Sequence, residues 1–160
     1  MNIKLIKARY LEEKHGADIV SLLNSYAQDP MGGGEALNQY VIDNLIQELA
    51  KLPHAFTVLC YVNDIAAGLI NCFEAFSTFS CKPLINIHDV IVLKEYRGNG
   101  LSQNMLAEVE KIAKSKGCCK LTLEVLSKNA AAQASYEKYG FTQYELDPKM
   151  GSAEFWHKLI

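Results

Sequence analysis

The passage from Leu84 to Ala113 restricts the fold more than any other part of this chain. An apolar run, Leu84 to Leu93, leads into Lys94-Glu95-Tyr96-Arg97-Gly98-Asn99-Gly100. From there Leu101, Met105, Leu106, Val109, Ile112 and Ala113 recur at helical spacing. A strand thus feeds through a basic, glycine-containing turn straight into a helix, which is the grammar of a mixed α/β domain. The first turn of a helix carries unpaired N–H groups and a positive dipole end, so an anion such as phosphate can sit there. Arg97 adds a fixed fork of donors suited to phosphate oxygens. The two glycines let the backbone approach a ligand with no Cβ in the way.

Around this passage the chain reads as alternating elements without repeats or linkers. Ile3 to Arg9 alternates as a first strand, and Leu11 to Ala27 carries Ile19, Leu22, Leu23 and Tyr26 at helical spacing. Asp29-Pro30 ends that helix, and Gly32-Gly33-Gly34 makes the following loop flexible. A second helix is expected over Glu35 to Lys51, then a hairpin of Phe56 to Val62 and Ala66 to Phe73 around Asn63-Asp64. Glu74 to Pro83 reads as a polar and aromatic connection. After the central strand and third helix come a strand at Lys120 to Leu126 and an Ala-rich helix at Ala130 to Tyr139, ended by Gly140. Phe141 to Leu146 and Ala153 to Leu159 are expected to pair as a last hairpin across Asp147 to Gly151.

Composition excludes several function classes. A chain of 160 residues with 49% apolar content is most simply one globular domain. A formal net charge of -2 gives no general drive towards nucleic acid or anionic lipid, so any polyanion must meet a local site. The N-terminal stretch lacks the uninterrupted apolar segment of a signal peptide, and no run approaches the ~20 residues of a membrane span. The five cysteines lack C-x-x-C or Cys/His ligand spacing and read as buried free thiols, not as a metal or disulfide framework. The expectation is a cytoplasmic protein without metal.

Two motifs in this order, with a strand between them, resemble the GNAT acetyltransferase superfamily. Val92 to Ser102 (V-L-K-E-Y-R-G-N-G-L-S) resembles its pyrophosphate loop, Gln/Arg-x-x-Gly-x-Gly/Ala, with Ser102 departing from the usual last residue. Asn129, Ala132, Tyr136, Gly140 and Phe141 match N-x-x-A-x-x-x-Y-x-x-x-G-F. The resemblance implies one acetyltransferase domain over residues 1–160. Its fold would be α/β, with a mixed, mainly antiparallel sheet of about seven strands, splayed between the fourth and fifth, and about four helices. It also implies acetyl-CoA as acyl donor. The pantetheine arm would lie against Val90, Ile91 and Val92. The pyrophosphate would meet Arg97, Gly98, Asn99, Gly100, Leu101, Ser102 and Gln103, while Asn129, Ala132 and Tyr136 contribute from the next helix. Asn129 is equally placed to cap that helix.

The chemistry assigns further roles. A leaving thiolate is better protonated as it departs, and Tyr136 is the candidate acid, although a phenol (pKa ~10) is weaker than a thiol (~8.5). Packing beside Tyr139 and Phe141 is the plain alternative for it. An acceptor ammonium (pKa ~10.4) must lose a proton before it attacks. His88 is the candidate base, with a structural histidine or a water chain as alternatives. Strand alternation places His88 and Asp89 on opposite faces unless a bulge intervenes. Glu74 is a reserve base or counter-charge, and Ser77 and Phe79 are candidate acceptor contacts. The expected partners are acetyl-CoA and the amine of a small molecule or peptide, with a homodimer as the expected assembly. A non-catalytic acyl-CoA-binding regulatory domain is the alternative. A nucleotide-binding module is disfavoured because neither Gly-Lys-Ser/Thr nor G-x-G-x-x-G is present.

Overall fold

In the computed structural model, which describes residues 1–160, the chain begins with β1 (Ile3–Lys7), α1 (Glu13–Gln28) and α2 (Gln39–Ala50). Three long strands follow, β2 (Ala55–Val62), β3 (Ile65–Ser77) and β4 (Lys82–Val92), and then α3 (Leu101–Ser115), β5 (Leu121–Leu123) and α4 (Ala130–Tyr139). One sheet runs in the order β1-β2-β3-β4-β5. Its pairings are antiparallel up to β4, and β4 pairs with β5 in parallel, as a crossover through α3 demands.

Both faces of this sheet are covered, which is why Phe56 to Val62 read as an apolar run interrupted by Thr57 alone and are all buried. Val58, Cys60, Ile70, Ile85 and Ile87 pack on one face with Leu101, Met105, Leu106 and Val109 of α3. Leu59, Tyr61, Leu69 and Ile91 pack on the other with Ile19 and Leu22 of α1. The β2–β3 turn is the hairpin expected from Asn63-Asp64, both with positive φ (49° and 65°), as a two-residue type I′ connection requires. Asn38 accepts from the Val41 N–H at 2.9 Å, so α2 starts later than the periodicity alone predicts.

The central strand is irregular in one informative place. Asn71 lies opposite Asp89 and Cys72 opposite Ile87, so His88 is an extra residue, a β-bulge. The bulge resets the alternation of β4: Ile85 and Ile87 face α3, whereas Ile91 faces α1. It also coincides with a parting of strands. β5 pairs only with Ile85, Asn86 and Ile87, and from His88 to Val92 the sheet edge on that side is free.

Three expectations are corrected. The sheet has five strands, not about seven, with four helices around it. The expected last hairpin is reduced to a single bridge, Glu145 to Ser152, because the three-residue β5 offers almost no edge to template further pairing. Glu74 to Pro83 is no connection: β3 and β4 run through it, pairing as far as Ser77 with Lys82, and only four residues turn at the tip. Against the expectation of buried thiols, only Cys60 and Cys72 are buried; Cys118 is half-buried and Cys81 and Cys119 are exposed. No helix is long and apolar enough to cross a membrane.

Gly68 of β3 lies opposite Val92 of the cleft strand. A Cβ there would sit 2.5 Å from the Ile91 carbonyl oxygen and 3.1 Å from Met105 Cε. The methionine tip can yield, but the β4 backbone cannot without moving the sheet. Gly68→Ala is therefore expected to destabilise the fold by about 1–3 kcal/mol, the usual cost of overpacking. A urea midpoint equal to that of the wild type would show that β4 accommodates the methyl group.

Candidate active site

The free stretch of β4 forms one wall of a cleft of about 480 Å³. The start of α3 and the inner side of α4 complete it, and the end of α1 with the turn after it closes a third side. Every residue expected to bind the acyl donor lines this cleft except Asn99. Asn99 instead clamps the turn, its side-chain amide donating to the carbonyls of Tyr96 (3.0 Å) and Arg97 (3.3 Å).

The turn is built as an anion cradle. Gly98 and Gly100 adopt φ of 81° and 76°, the left-handed region that side chains avoid, and these angles swing the chain into α3. Gly100 is the N-cap and supplies no side-chain cap, so the first N–H groups of α3 are left for a ligand. Arg97 is fixed beside them, its Nε donating to the Val92 carbonyl at 3.0 Å and an Nη to Asp29 Oδ2 at 3.2 Å. The Asp29 carboxyl is held below the usual carboxylate range, first by the Met31 N–H and then by Arg97. Ser102 does not point its hydroxyl to open space, because Ser135 Oγ lies 3.1 Å away on α4. Gln103 reinforces the same junction by donating to the Ser135 carbonyl at 2.8 Å.

On α4, Asn129 performs the capping role, accepting from the Ala132 N–H at 3.2 Å. Tyr136 stands one turn before Gly140, whose φ of 110° ends the helix. Its ring meets Phe141 edge-on at 6.0 Å. Burial, and then the neighbouring Tyr26, push its phenol up to about 12.

Four other candidates do not meet here. His88 lies outside the cleft lining, exposed at the bulge, with its ring edge-on to Phe73 at 5.6 Å. Glu74 pairs with Lys116 at 2.9 Å, beyond the C-terminal end of α3. That helix has 15 residues, so Glu74 is about 22 Å along its axis from the Gly100 turn. Ser77 and the fully exposed Phe79 belong to the β3–β4 tip, where Ser77 Oγ accepts from the Ser80 N–H. Their separation from the cleft follows from the length of the β3–β4 hairpin, which the expected loop concealed.

The sequence alone did not reveal Tyr26 and Asp29 as cleft residues. The Asp29–Arg97 contact joins positions 68 apart, for which no local pattern exists. Also unforeseen is a polar chain across the sheet on the α1 side. Tyr10 Oη lies 3.1 Å from Thr57 Oγ1, which donates to Asn71 Oδ1 at 2.6 Å, and Asn71 Nδ2 donates to Asp89 at 2.9 Å. Asp89 is close enough to Tyr26 to raise its phenol, behind the larger effect of burial.

Comparison with known proteins agrees with this geometry. The sequence model of the Acetyltransferase (GNAT) family matches residues 19–141. Thialysine N-epsilon-acetyltransferase of Bos taurus is 34% identical over 73 residues, 46% of this chain and 39% of that one. Glucosamine 6-phosphate N-acetyltransferase of Trypanosoma brucei brucei is 38% identical over 60 residues, 38% of this chain and 39% of that one. The matched segments thus span about two-fifths of those curated relatives. The structure of AAC(6')-Iy in complex with the bisubstrate analog CoA-S-monomethyl-acetylneamine superposes with a TM-score of 0.78 over 100% of both chains. At 14% identity, that likeness speaks for the fold alone.

The Asp29–Arg97 pair can be read directly. A carboxyl held low is ionised above its lowered value, and the interaction is lost as pH falls through that value. In Arg97→Gln, Asp29 is expected to titrate at higher pH than in the wild type. It should stay below the ordinary carboxylate range, because the Met31 N–H, the larger cause, remains. An NMR titration of the side-chain carboxyl carbon reads this, and an unmoved midpoint would remove Arg97 as a cause.

Proposed function

The chain belongs to the Acetyltransferase (GNAT) family, and from that membership we propose that it transfers an acetyl group from acetyl-CoA to a primary amine by direct attack, without an acyl-enzyme. One observation carries the reading. A single cleft joins an uncapped helix N-terminus with Arg97, a free strand edge and a half-buried tyrosine.

Acetyl-CoA would supply the thioester carbonyl and a thiolate leaving group. The chain's residues fit it in three places. The N–H groups of Leu101, Ser102 and Gln103, with the Arg97 guanidinium, hold the diphosphate. Backbone groups of Val90 and Ile91 pair with the amides of the pantetheine arm, as a neighbouring strand would. The Val92 carbonyl is already engaged by Arg97, so it stiffens the turn instead of joining that ladder.

Tyr136 then faces the sulfur. A phenol at about 12 stays protonated throughout the physiological range. Full transfer to a free thiolate (~8.5) would run uphill by roughly 5 kcal/mol. Tyr136 therefore acts chiefly by hydrogen-bonding the sulfur as charge develops, a contribution that grows in the transition state. On the α1 side, Asp89 attracts the acceptor's ammonium, and the amine's proton leaves to water. Asp89, like His88, lies outside the cleft lining, but it is less exposed and Asn71 orients it on the α1 side. Small primary amines of this kind resemble those in the relatives' names: thialysine, glucosamine 6-phosphate and neamine.

Purified protein given acetyl-CoA and a panel of primary amines should release CoA thiol, and failure with every amine would overturn the activity. Tyr136→Phe is expected to lower kcat by about 10²-fold, the lower end of acid–base contributions, with little change in KM for acetyl-CoA. An acid must be protonated to act, and burial raises this one. The wild-type profile should therefore show no alkaline fall from Tyr136 until pH approaches 12. An unchanged kcat in the phenylalanine variant would strip Tyr136 of its role.

Asp89→Asn should raise KM for a cationic amine by about tenfold, in keeping with loss of a charged hydrogen bond, whereas His88→Ala should change little. The reverse result would return the base role to His88.

A further inference from the structure

Two phenols flank the free edge of β4, one from each side of the sheet. Tyr26, near the end of α1, packs against the apolar cluster that holds Ile91. Tyr136 of α4 packs, with Val90 and Val92, against the cluster on the opposite face. Both line the cleft. An acyl donor laid along that strand edge passes between them.

Their hydrogen-bonding polarity differs. The Tyr26 hydroxyl donates to the Met31 carbonyl at 3.2 Å, so its single hydrogen is already committed. Only lone pairs are left to face the cleft, and there the oxygen can accept but not donate. The turn that carries Met31 is well held. It starts at Asp29, whose carboxylate accepts from the Met31 N–H at 3.0 Å and from Arg97 at 3.2 Å. Gly32 closes it against the end of α1, where a Cβ would collide with the Tyr26 carbonyl. Burial, and then Asp89 and Asp29, raise the Tyr26 phenol above its usual range, so it keeps that hydrogen. Tyr136 is the opposite case. Its hydroxyl bonds to no protein group and has a hydrogen free to give.

Acetyl transfer to an amine asks for both polarities. The leaving sulfur needs a donor. The attacking nitrogen must aim its lone pair at the carbonyl carbon, and its N–H groups then need an acceptor elsewhere. We propose, resting on the amine acetylation put forward above, that Tyr26 orients the acceptor, its phenol oxygen receiving an N–H of the attacking amine from the α1 side. Asp89 stands on that same side of the sheet, so the group that attracts the ammonium and the group that aims the amine share one face. The ammonium first gives a proton to water. The C–N bond then forms and the C–S bond breaks. Sulfur leaves with the electron pair beside the Tyr136 hydroxyl, and the nitrogen's surplus proton passes to water. Tyr26 neither gains nor loses a proton. As the nitrogen takes on positive charge its N–H becomes a stronger donor, so the bond to Tyr26 tightens in the transition state.

Steady-state kinetics with the panel amine that the wild type acetylates fastest, paired with calorimetric binding of CoA, tests this. Tyr26→Phe should lower kcat/KM for the amine about tenfold, the size expected for one hydrogen bond to a group gaining charge. The Kd for CoA and the KM for acetyl-CoA should stay at their wild-type values. That variant also loses the anchor on Met31, so a second one separates the two roles. Tyr26→fluorotyrosine, fluorinated beside the hydroxyl, keeps the ring in place. It donates better to Met31 but accepts less well. It should lower kcat/KM for the amine too, by less than phenylalanine does. Unchanged amine kinetics in Tyr26→Phe would overturn the proposal. So would a CoA affinity that falls in step with them, because Tyr26 would then only brace the turn that holds Arg97. Fluorotyrosine at or above wild-type efficiency would overturn it as well. The two readings fail separately: a wild type that acetylates no amine removes both, whereas an active wild type indifferent to the Tyr26 hydroxyl removes only its orienting role.

Discussion

A backbone that leaves a sheet in the interior of a fold must find other partners, because a buried peptide group without one costs on the order of 1–3 kcal/mol. This chain meets that demand where β4 parts from β5 after Ile87. Arg97 satisfies the Val92 carbonyl at the far end, and the open stretch between faces a cleft and not packed side chains. The other parts of the site are arranged around that opening. α3 begins where β4 ends, α4 stands across the gap, and the turn after α1 reaches over through Asp29. Had the two strands stayed paired over their whole length, the same residues would have made a closed sheet with no room between its edges.

Local physics made much of this legible in the sequence. The hairpin at Asn63-Asp64, the cap at Asn129 and the stop at Gly140 are each decided within a few residues, and each stands where the residue types demand. The motif resemblance brought the expected donor-binding residues, apart from Asn99, into one cleft. What stayed hidden was decided at long range or by the register of pairing. No spacing rule pairs Ser102 with Ser135 or Asp29 with Arg97. The bulge at His88 exists only in the pairing of β3 with β4, and it leaves His88 exposed while Asn71 holds Asp89. Alternation in the last twenty residues suggested strands, but alternation creates a strand only where an edge is available, and β5 is too short to give one.

The polar residues within the sheet follow the same accounting. Thr57 and Asn71 are buried between apolar neighbours, yet no buried side-chain polar atom lacks a partner. Their bonds form a line from Tyr10 to Asp89, crossing three strands. Such a line specifies register as well as satisfying its members, since a slip of any strand would strand several polar groups together. Asp89 is thereby oriented from behind by the core, while its other side remains available on the α1 face.

The extra residue at His88 sets how this protein can change over evolutionary or laboratory time. β4 tolerates replacement at many positions, since a new side chain still faces the way the old one did. A change of length is different. Gaining one residue between Asp89 and Val90, with the bulge kept, would send Ile91 towards α3 and turn Val90 and Val92 towards α1. The α1-facing and α3-facing side chains of that stretch would trade places at a stroke. Insertions should therefore accumulate at the β3–β4 tip and be purged from this short stretch, whose residue count carries more information than most of its side chains.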